Sequence, residues 1–188
     1  MKKCFCCGAP MTEESFSPED WQRATQKRRQ ILPKLYQICH SCSHAFTPCP
    51  DNFNALDYYC NQYRRQNPFF KDPVREKYEK QIIPGPGESV PDFKPTSILE
   101  VGPGVGYFLQ RVVDEFELPQ NSATTCELNK DHSEDLQAKG FNSLFGDFSL
   151  INFEEHFDLF LAIDVIEHIE DVSILPKIIK NLLSPEGV

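Results

Sequence analysis

Residues 98 to 106 read Ile-Leu-Glu-Val-Gly-Pro-Gly-Val-Gly, and no other stretch constrains the fold as strongly. Ile98, Leu99 and Val101 are strand formers, with Glu100 among them near the strand end. Gly102, Gly104 and Gly106 follow at alternate positions, and an apolar, helix-compatible run begins at Tyr107-Phe108-Leu109. A strand, a glycine turn and a helix in that order predict a doubly wound α/β fold with a ligand at the turn. Glycine lets the backbone turn tightly and lets a ligand lie against it.

Spacing narrows the ligand. A dinucleotide fingerprint wants G-x-G-x-x-G, whose third glycine would fall at position 107, which is Tyr107. The turn instead reads E-x-G-x-G-x-G, with the Glu100 carboxylate two residues before the first glycine. That pattern resembles motif I of the class I S-adenosylmethionine-dependent methyltransferases. A carboxylate suits this cofactor, whose methionine end carries an ammonium and a sulfonium and no pyrophosphate.

Acids recur at the following predicted strand ends. Residues 123–128, Ala-Thr-Thr-Cys-Glu-Leu, read as strand two and carry Glu127 and Leu128 at the end. An acid about 20 residues beyond the turn can accept both ribose hydroxyls. Asp131 to Lys139 reads as a helix closed by Gly140. Phe141 to Phe145 reads as strand three, followed by Gly146-Asp147-Phe148. Phe157 to Ile163 is a near-continuous apolar run, as expected of a strand buried on both faces, and leads into Asp164-Val-Ile-Glu-His168. The resemblance implies that Asp147 and Phe148 hold the adenine, and that Leu128 and Asp164 also border the cofactor. The segment Asp164 to His168 is similar to the D-x-x-E-H stretch of many small-molecule methyltransferases. The expected sheet is Rossmann-like and parallel, with strands in the order 3-2-1-4.

The N-terminus carries the second strong signal. Cys4/Cys7 and Cys39/Cys42 form two C-x-x-C pairs, and two such knuckles can place four thiolates tetrahedrally around Zn²⁺. Gly8 suits the tight turn of the first knuckle. The chain opens Met-Lys-Lys-Cys with no apolar run, so a reducing, cytoplasmic setting and metal binding are favoured over disulfides. Residues 8–38 separate the pairs, more than the usual spacing of about 15–20. A helix capped by Ser17, with Pro18 first and Asp20 in the capping box, can fill the gap. Lengthening such a loop costs roughly 0.6 kcal/mol per doubling. His40 and His44 are alternative ligands.

Composition excludes other classes. With 188 residues the chain can hold one core plus a small metal module. A net charge of −9 argues against a surface that tracks nucleic-acid phosphates, although Lys27-Arg28-Arg29 and Arg64-Arg65 are small basic clusters. No apolar stretch approaches the roughly 18 residues of a membrane span. Residues 1–50 are thus expected to form a zinc-binding module. Residues 51–95 form a connector with an aromatic segment, Asp57 to Tyr63, a short charged helix from Asp72 to Gln81, and a Pro/Gly-rich loop from Ile83 to Pro95. Residues 96–188 form the cofactor-binding domain.

The order of parts is similar to a bacterial group of zinc-ribbon methyltransferases associated with deoxysugar and glycan biosynthesis. The shared parts are the cysteine knuckles, Phe46-Thr-Pro48, a Tyr-Tyr-x-x-x-Tyr segment and the glycine turn. The resemblance implies S-adenosylmethionine and Zn²⁺ as cofactors and a small-molecule acceptor, with a sugar nucleotide or glycan precursor as the candidate. It also implies that Tyr58, Tyr59 and Tyr63 line the acceptor pocket. Residues 182–188, Leu-Leu-Ser-Pro-Glu-Gly-Val, resemble the turn into a fifth strand that would begin near Val188. The usual seven-stranded sheet would then lack three strands. The expectation is a fragment, inactive at this length, whose strand four is an open edge prone to self-association.

His168, just past strand four, is the visible candidate for the catalytic base. A helix through Asp164, Glu167 and His168 would instead place them on one face, where they could hold a divalent ion. Two further readings stay open: an RNA methyltransferase that grips RNA with its zinc ribbon, which the acidic charge disfavours, and a non-catalytic protein that binds zinc and cofactor.

Overall fold

The computed structural model describes residues 3–4, 6–15, 35–43, 45–46, 57–59, 76–79, 84–169 and 172–188. The predicted helix begun by Ser17, Pro18 and Asp20 lies outside them, as do both basic clusters, His44 and Tyr63. The chain divides into two compact units, Met1–Phe53 with Glu170–Ser173 and Asn54–Ile169 with Ile174–Val188.

The first unit contains an antiparallel sheet of β1 (Thr12–Ser15), β2 (Leu35–Ile38) and β3 (Ala45–Phe46). Thr12 faces Ile38, Ser15 faces Leu35, and Gln37 faces Phe46. Among the described residues its buried apolar cluster is Cys4, Met11 and Cys39, with Ala9 packed on it. Small modules commonly rely on a staple such as a structural metal.

The second unit is a parallel sheet in the order β6-β5-β4-β7. Its strands are β4 (Ile98–Val101), β5 (Ala123–Glu127), β6 (Asn142–Phe145) and β7 (Leu159–Leu161). In chain order these are strands one, two, three and four, so the arrangement is the Rossmann-like 3-2-1-4 expected. Every residue of β4 and β5 is buried, so neither shows the alternation of a strand with one solvent-facing side. Helix α1 (Pro86–Ser89) interrupts the segment expected to be loop, with Pro86 in its first turn, where the missing N–H costs nothing. Helix α2 (Tyr107–Glu115) buries Phe108, Leu109, Val112 and Val113, a stripe at helical spacing. Helix α3 (Lys130–Ala138) is capped by Asn129, whose side chain accepts from the His132 N–H at 3.2 Å. Gly140 follows it at φ 94° and ends the helix as expected. Helix α4 (Leu175–Leu182) buries Leu175 and Leu182. No helix among the described residues is long and apolar enough to cross a membrane.

Strand four is shorter than its apolar run from Phe157 to Ile163. Phe157 leaves the register of β4, donating to Leu182 O at 2.8 Å and bridging Leu183. The Asp158 carboxylate accepts from the Thr96 N–H at 2.8 Å, the Thr96 hydroxyl at 2.7 Å and the Ser184 hydroxyl at 2.7 Å. Nor does its outer edge stand open along these residues. Phe160 N–H donates to Val188 O at 2.8 Å, and Val188 N–H donates to Asp158 O at 2.9 Å. The expected open edge is therefore paired locally by residues 182–188, which corrects the structural premise for self-association through strand four.

Candidate functional site

The glycine turn leaves β4 with Gly102, Gly104 and Gly106 at φ of 66°, 58° and 77°. L-residues with side chains rarely adopt such values, which is why glycine recurs there. Space enforces the same choice. A Cβ on Gly102 would lie 2.6 Å from Val165 Cγ2, and one on Gly106 would lie 2.6 Å from Leu136 Cδ2. The turn is thus wedged between the loop after β7 and helix α3.

Glu127, at the end of β5, braces the turn from beneath. Its Oε2 accepts from the Gly104 N–H at 3.0 Å, and its Oε1 from the Asn129 N–H at 2.7 Å. Burial raises its pKa, opposed by the N–H groups of Asn129, Gly104 and Leu128. Leu128 beside it is half-buried.

Glu100 is the most deeply set acid of the group, at 2% exposure. Its Oε2 has no hydrogen-bond partner among the described residues. Burial first, then the charges of Glu79 and Glu127, push its pKa from 4.5 to about 8. Glu79 is itself only 4% exposed, and its backbone carbonyl accepts from Arg111 Nη1 at 3.2 Å. Sequence reasoning missed Glu79, since an acid in a charged segment reads as solvated. Cys126, between these acids, is held as a thiol. Burial, then Asp147 and Glu127, push it up to about 12.

The other candidates fall into two sets. Asp147 is exposed and uses Oδ1 to accept from the Ser149 N–H at 2.9 Å and the Ser149 hydroxyl at 2.7 Å. Phe148 is buried, its ring centroid 6.5 Å from that of Phe160, so it packs on the sheet at the end of β6. Past β7, Asp164 sits exposed at φ 53°. This left-handed residue stands outside the short 3₁₀ turn Ile166–His168. The helical face expected for Asp164, Glu167 and His168 therefore does not form. His168 is exposed and meets the Tyr59 ring edge-on at 5.5 Å, and Tyr59 meets Tyr58 in the same manner at 5.1 Å. The aromatic segment and the loop after β7 are thereby brought together.

In the other unit, the Sγ atoms of Cys4, Cys7, Cys39 and Cys42 all lie within 4.8 Å of one another. Cys4–Cys42 is 3.6 Å and Cys7–Cys39 is 3.4 Å. A tetrahedron with metal–sulfur bonds of about 2.3 Å has edges of about 3.8 Å, so the spacing fits zinc. Two matching turns set this geometry. Gly8 N–H donates to Cys4 O and Ser43 N–H to Cys39 O, each at 2.8 Å, with Gly8 and Ser43 at φ of 73° and 62°. Ser43 plays in the second knuckle the part that Gly8 plays in the first. Burial opposes ionisation of Cys39, but the Cys42 and Ser41 N–H groups and the Cys7 and Cys42 thiols outweigh it and bring the pKa down to about 6. His40 Nε2 lies 2.9 Å from the Thr12 hydroxyl. The four cysteines are the metal-ligating set that converges among the described residues.

Residues 99–188 match the family model of a methyltransferase domain. The chain resembles the plantazolicin methyltransferase BpumL solved with a pentazolic desmethylPZN analog and SAH. They share 16% identity with a TM-score of 0.55, over 69% of this chain and 52% of that one. The triazolic complex of BpumL gives 15% identity and a TM-score of 0.52 over the same shares. An S-adenosylmethionine-dependent methyltransferase from Clostridium acetobutylicum ATCC 824 gives 17%, 0.49, and 68% and 55%. The chain thus spans about half the length of these solved chains. No curated protein sequence matches it. Residues 99–188 are thus similar to a methyltransferase domain, and the parallel α/β sheet has the Rossmann-like fold of the BpumL methyltransferase.

Proposed function

We propose that this chain binds S-adenosylmethionine at the glycine turn and serves methyl transfer to a small molecule, with a sugar nucleotide or glycan precursor as the acceptor class. The observation that carries the reading is the turn itself. Three left-handed glycines leave β4 over two buried acids, one of them, Glu100, with an oxygen left unbonded. A cationic ligand lying on the backbone supplies what that oxygen lacks. Glu127 has spare lone pairs for ribose hydroxyls, and Asp147, Phe148, Leu128 and Asp164 border the remainder. BpumL, which has this fold, was solved with SAH.

When bound, the cofactor supplies a methyl carbon already made electrophilic by the sulfonium. The protein's part is to align a nucleophile with it, exclude water and take up a proton. His168 is the base in this reading, oriented by the edge of Tyr59. The cysteine cluster would hold one Zn²⁺ as a structural ion, closed by four thiolates and without an open position for chemistry.

Titration calorimetry tests the cofactor assignment. S-adenosylhomocysteine should bind and NAD should not. Glu127→Ala should weaken binding about tenfold or more, because a charge-assisted acceptor and the brace on Gly104 are both lost. Equal affinity of the variant and wild type would remove Glu127 from the ribose site.

A further inference from the structure

The parallel sheet changes character along its strands. At one level Leu159, Ile98 and Ala123 stand side by side across β7, β4 and β5, all apolar and buried. Two residues further on, the same face carries Leu161, Glu100, Thr125 and Ser143 in register across β7, β4, β5 and β6. Three polar side chains thus lie in a row inside the core, and each needs a partner that bulk water cannot supply. Ser143 has one, since its hydroxyl lies 2.9 Å from that of Ser133 on α3. Glu100 Oε2 and Thr125 Oγ1 are both buried with no hydrogen-bond partner among the described residues. These two are direct cross-strand neighbours, on strands spaced about 4.8 Å apart. The carboxyl and the hydroxyl are not bonded to each other, so a third group must serve both. A hydroxyl can donate and accept, and a carboxylate accepts. Buried waters characteristically join polar groups that the protein leaves unpaired.

We propose that Thr125 is a positioning residue for Glu100: its hydroxyl and the Glu100 carboxyl share one internal water, which fixes the carboxyl below the glycine turn. The shared water needs no ligand. Its service to the ligand site rests on the S-adenosylmethionine reading above. A hydrogen bond donated to a carboxyl favours the carboxylate form. It works against burial and against the negative charges of Glu79 and Glu127. At this level β7 places Leu161 and α3 places Ser133, neither of which can ionise, and Arg111 of α2 bonds the Glu79 backbone carbonyl. The water is therefore the group that keeps Glu100 able to ionise when a cation arrives.

Two variants decide the matter. Thr125→Val removes the hydroxyl and keeps the branched shape, whereas Thr125→Ser keeps the hydroxyl. Carboxyl-carbon NMR across the pH range follows Glu100 directly, its signal identified by its loss in Glu100→Gln. Thr125→Val should raise the Glu100 midpoint by about one pH unit, and Thr125→Ser should leave it in place. At pH 7 the affinity for S-adenosylhomocysteine should fall up to about tenfold in Thr125→Val and hold in Thr125→Ser. An unmoved midpoint in Thr125→Val overturns the proposal. So does an equal shift in both variants, which would make the methyl group rather than the hydroxyl responsible. A shifted midpoint with unchanged affinity removes the positioning role and leaves the cofactor reading standing. Wild type that binds no S-adenosylhomocysteine removes that reading and the positioning role together. Should Thr125→Val fail to fold, a crystal structure of wild type decides. It should show one ordered water within hydrogen-bond distance of both Glu100 Oε2 and Thr125 Oγ1. No water there, or a direct bond between the two oxygens, overturns the proposal.

Discussion

Glu100→Gln should change how stability depends on pH, in a direction fixed by the burial of this one carboxyl. In the folded protein Glu100 holds its proton to about 8, against an ordinary value of 4.5. Between those values the unfolded chain has lost the proton and the folded chain has kept it. The folded state binds more protons, so unfolding free energy falls as pH rises. The slope is about 1.4 kcal/mol per pH unit, or about 3 kcal/mol from pH 5 to pH 7. Below 4.5 and above 8 this group contributes no slope. A glutamine cannot ionise, so the variant lacks the whole component. Urea unfolding followed by far-ultraviolet circular dichroism, at pH 5, 6, 7 and 8.5, reads the difference between the two proteins. That difference should move in favour of the variant by about 3 kcal/mol from pH 5 to 7 and level off above 8. Other titrating groups cancel in the subtraction. Parallel curves for the two proteins would refute the argument, because they would mean Glu100 is ionised in the fold at neutral pH.

Zinc should be present at about one equivalent, and Cys39→Ser/Cys42→Ser should abolish it. Because structural zinc contributes roughly 10–16 kcal/mol in small modules, chelation should erase amide protection in β1 and β2 while β4 and β5 stay protected. Gly102→Ala should destabilise by about 2 kcal/mol or more in thermal unfolding, through left-handed strain and a Cβ 2.6 Å from Val165. Adding Val165→Ala should recover the steric part only; full recovery would rule out the strain.

The parts that sequence made legible are those whose cause is local. Ile98 to Val101 is buried on both sides, so its residues are apolar throughout except for Glu100. The glycines follow because three successive alternate positions need positive φ. Four cysteines in two short pairs announce their own convergence, since each pair is set by one turn. What escaped depends on distant partners. The apolar run to Ile163 gave no sign that Phe157 and Asp158 would pair with Leu182, Thr96 and Ser184. Helical spacing in Asp164, Glu167 and His168 was overruled by the left-handed backbone at Asp164. Glu79 could not be told from its exposed neighbour Lys77, because only tertiary packing buries one and leaves the other out.

The held proton on Glu100 has a consequence for binding as well as for folding. An ammonium placed against this carboxyl favours the carboxylate form. Burial first, then the charges of Glu79 and Glu127, had resisted ionisation, and a cation against the carboxyl offsets both effects. Binding at pH 7 should therefore expel close to one proton. The sign follows from linkage: a ligand that lowers a group's pKa binds more tightly as pH rises toward the free-state value. Affinity for S-adenosylhomocysteine should rise up to about tenfold per pH unit between pH 6 and about 8, then level off. Calorimetry in two buffers of different ionisation enthalpy counts the proton directly. Glu100→Gln should release none, and an S-adenosylhomocysteine analogue lacking the amino group should release none from wild type. Equal proton release with both ligands would mean that the ionising group lies elsewhere, and that the buried acids below the glycine turn do not answer to the ligand's charge.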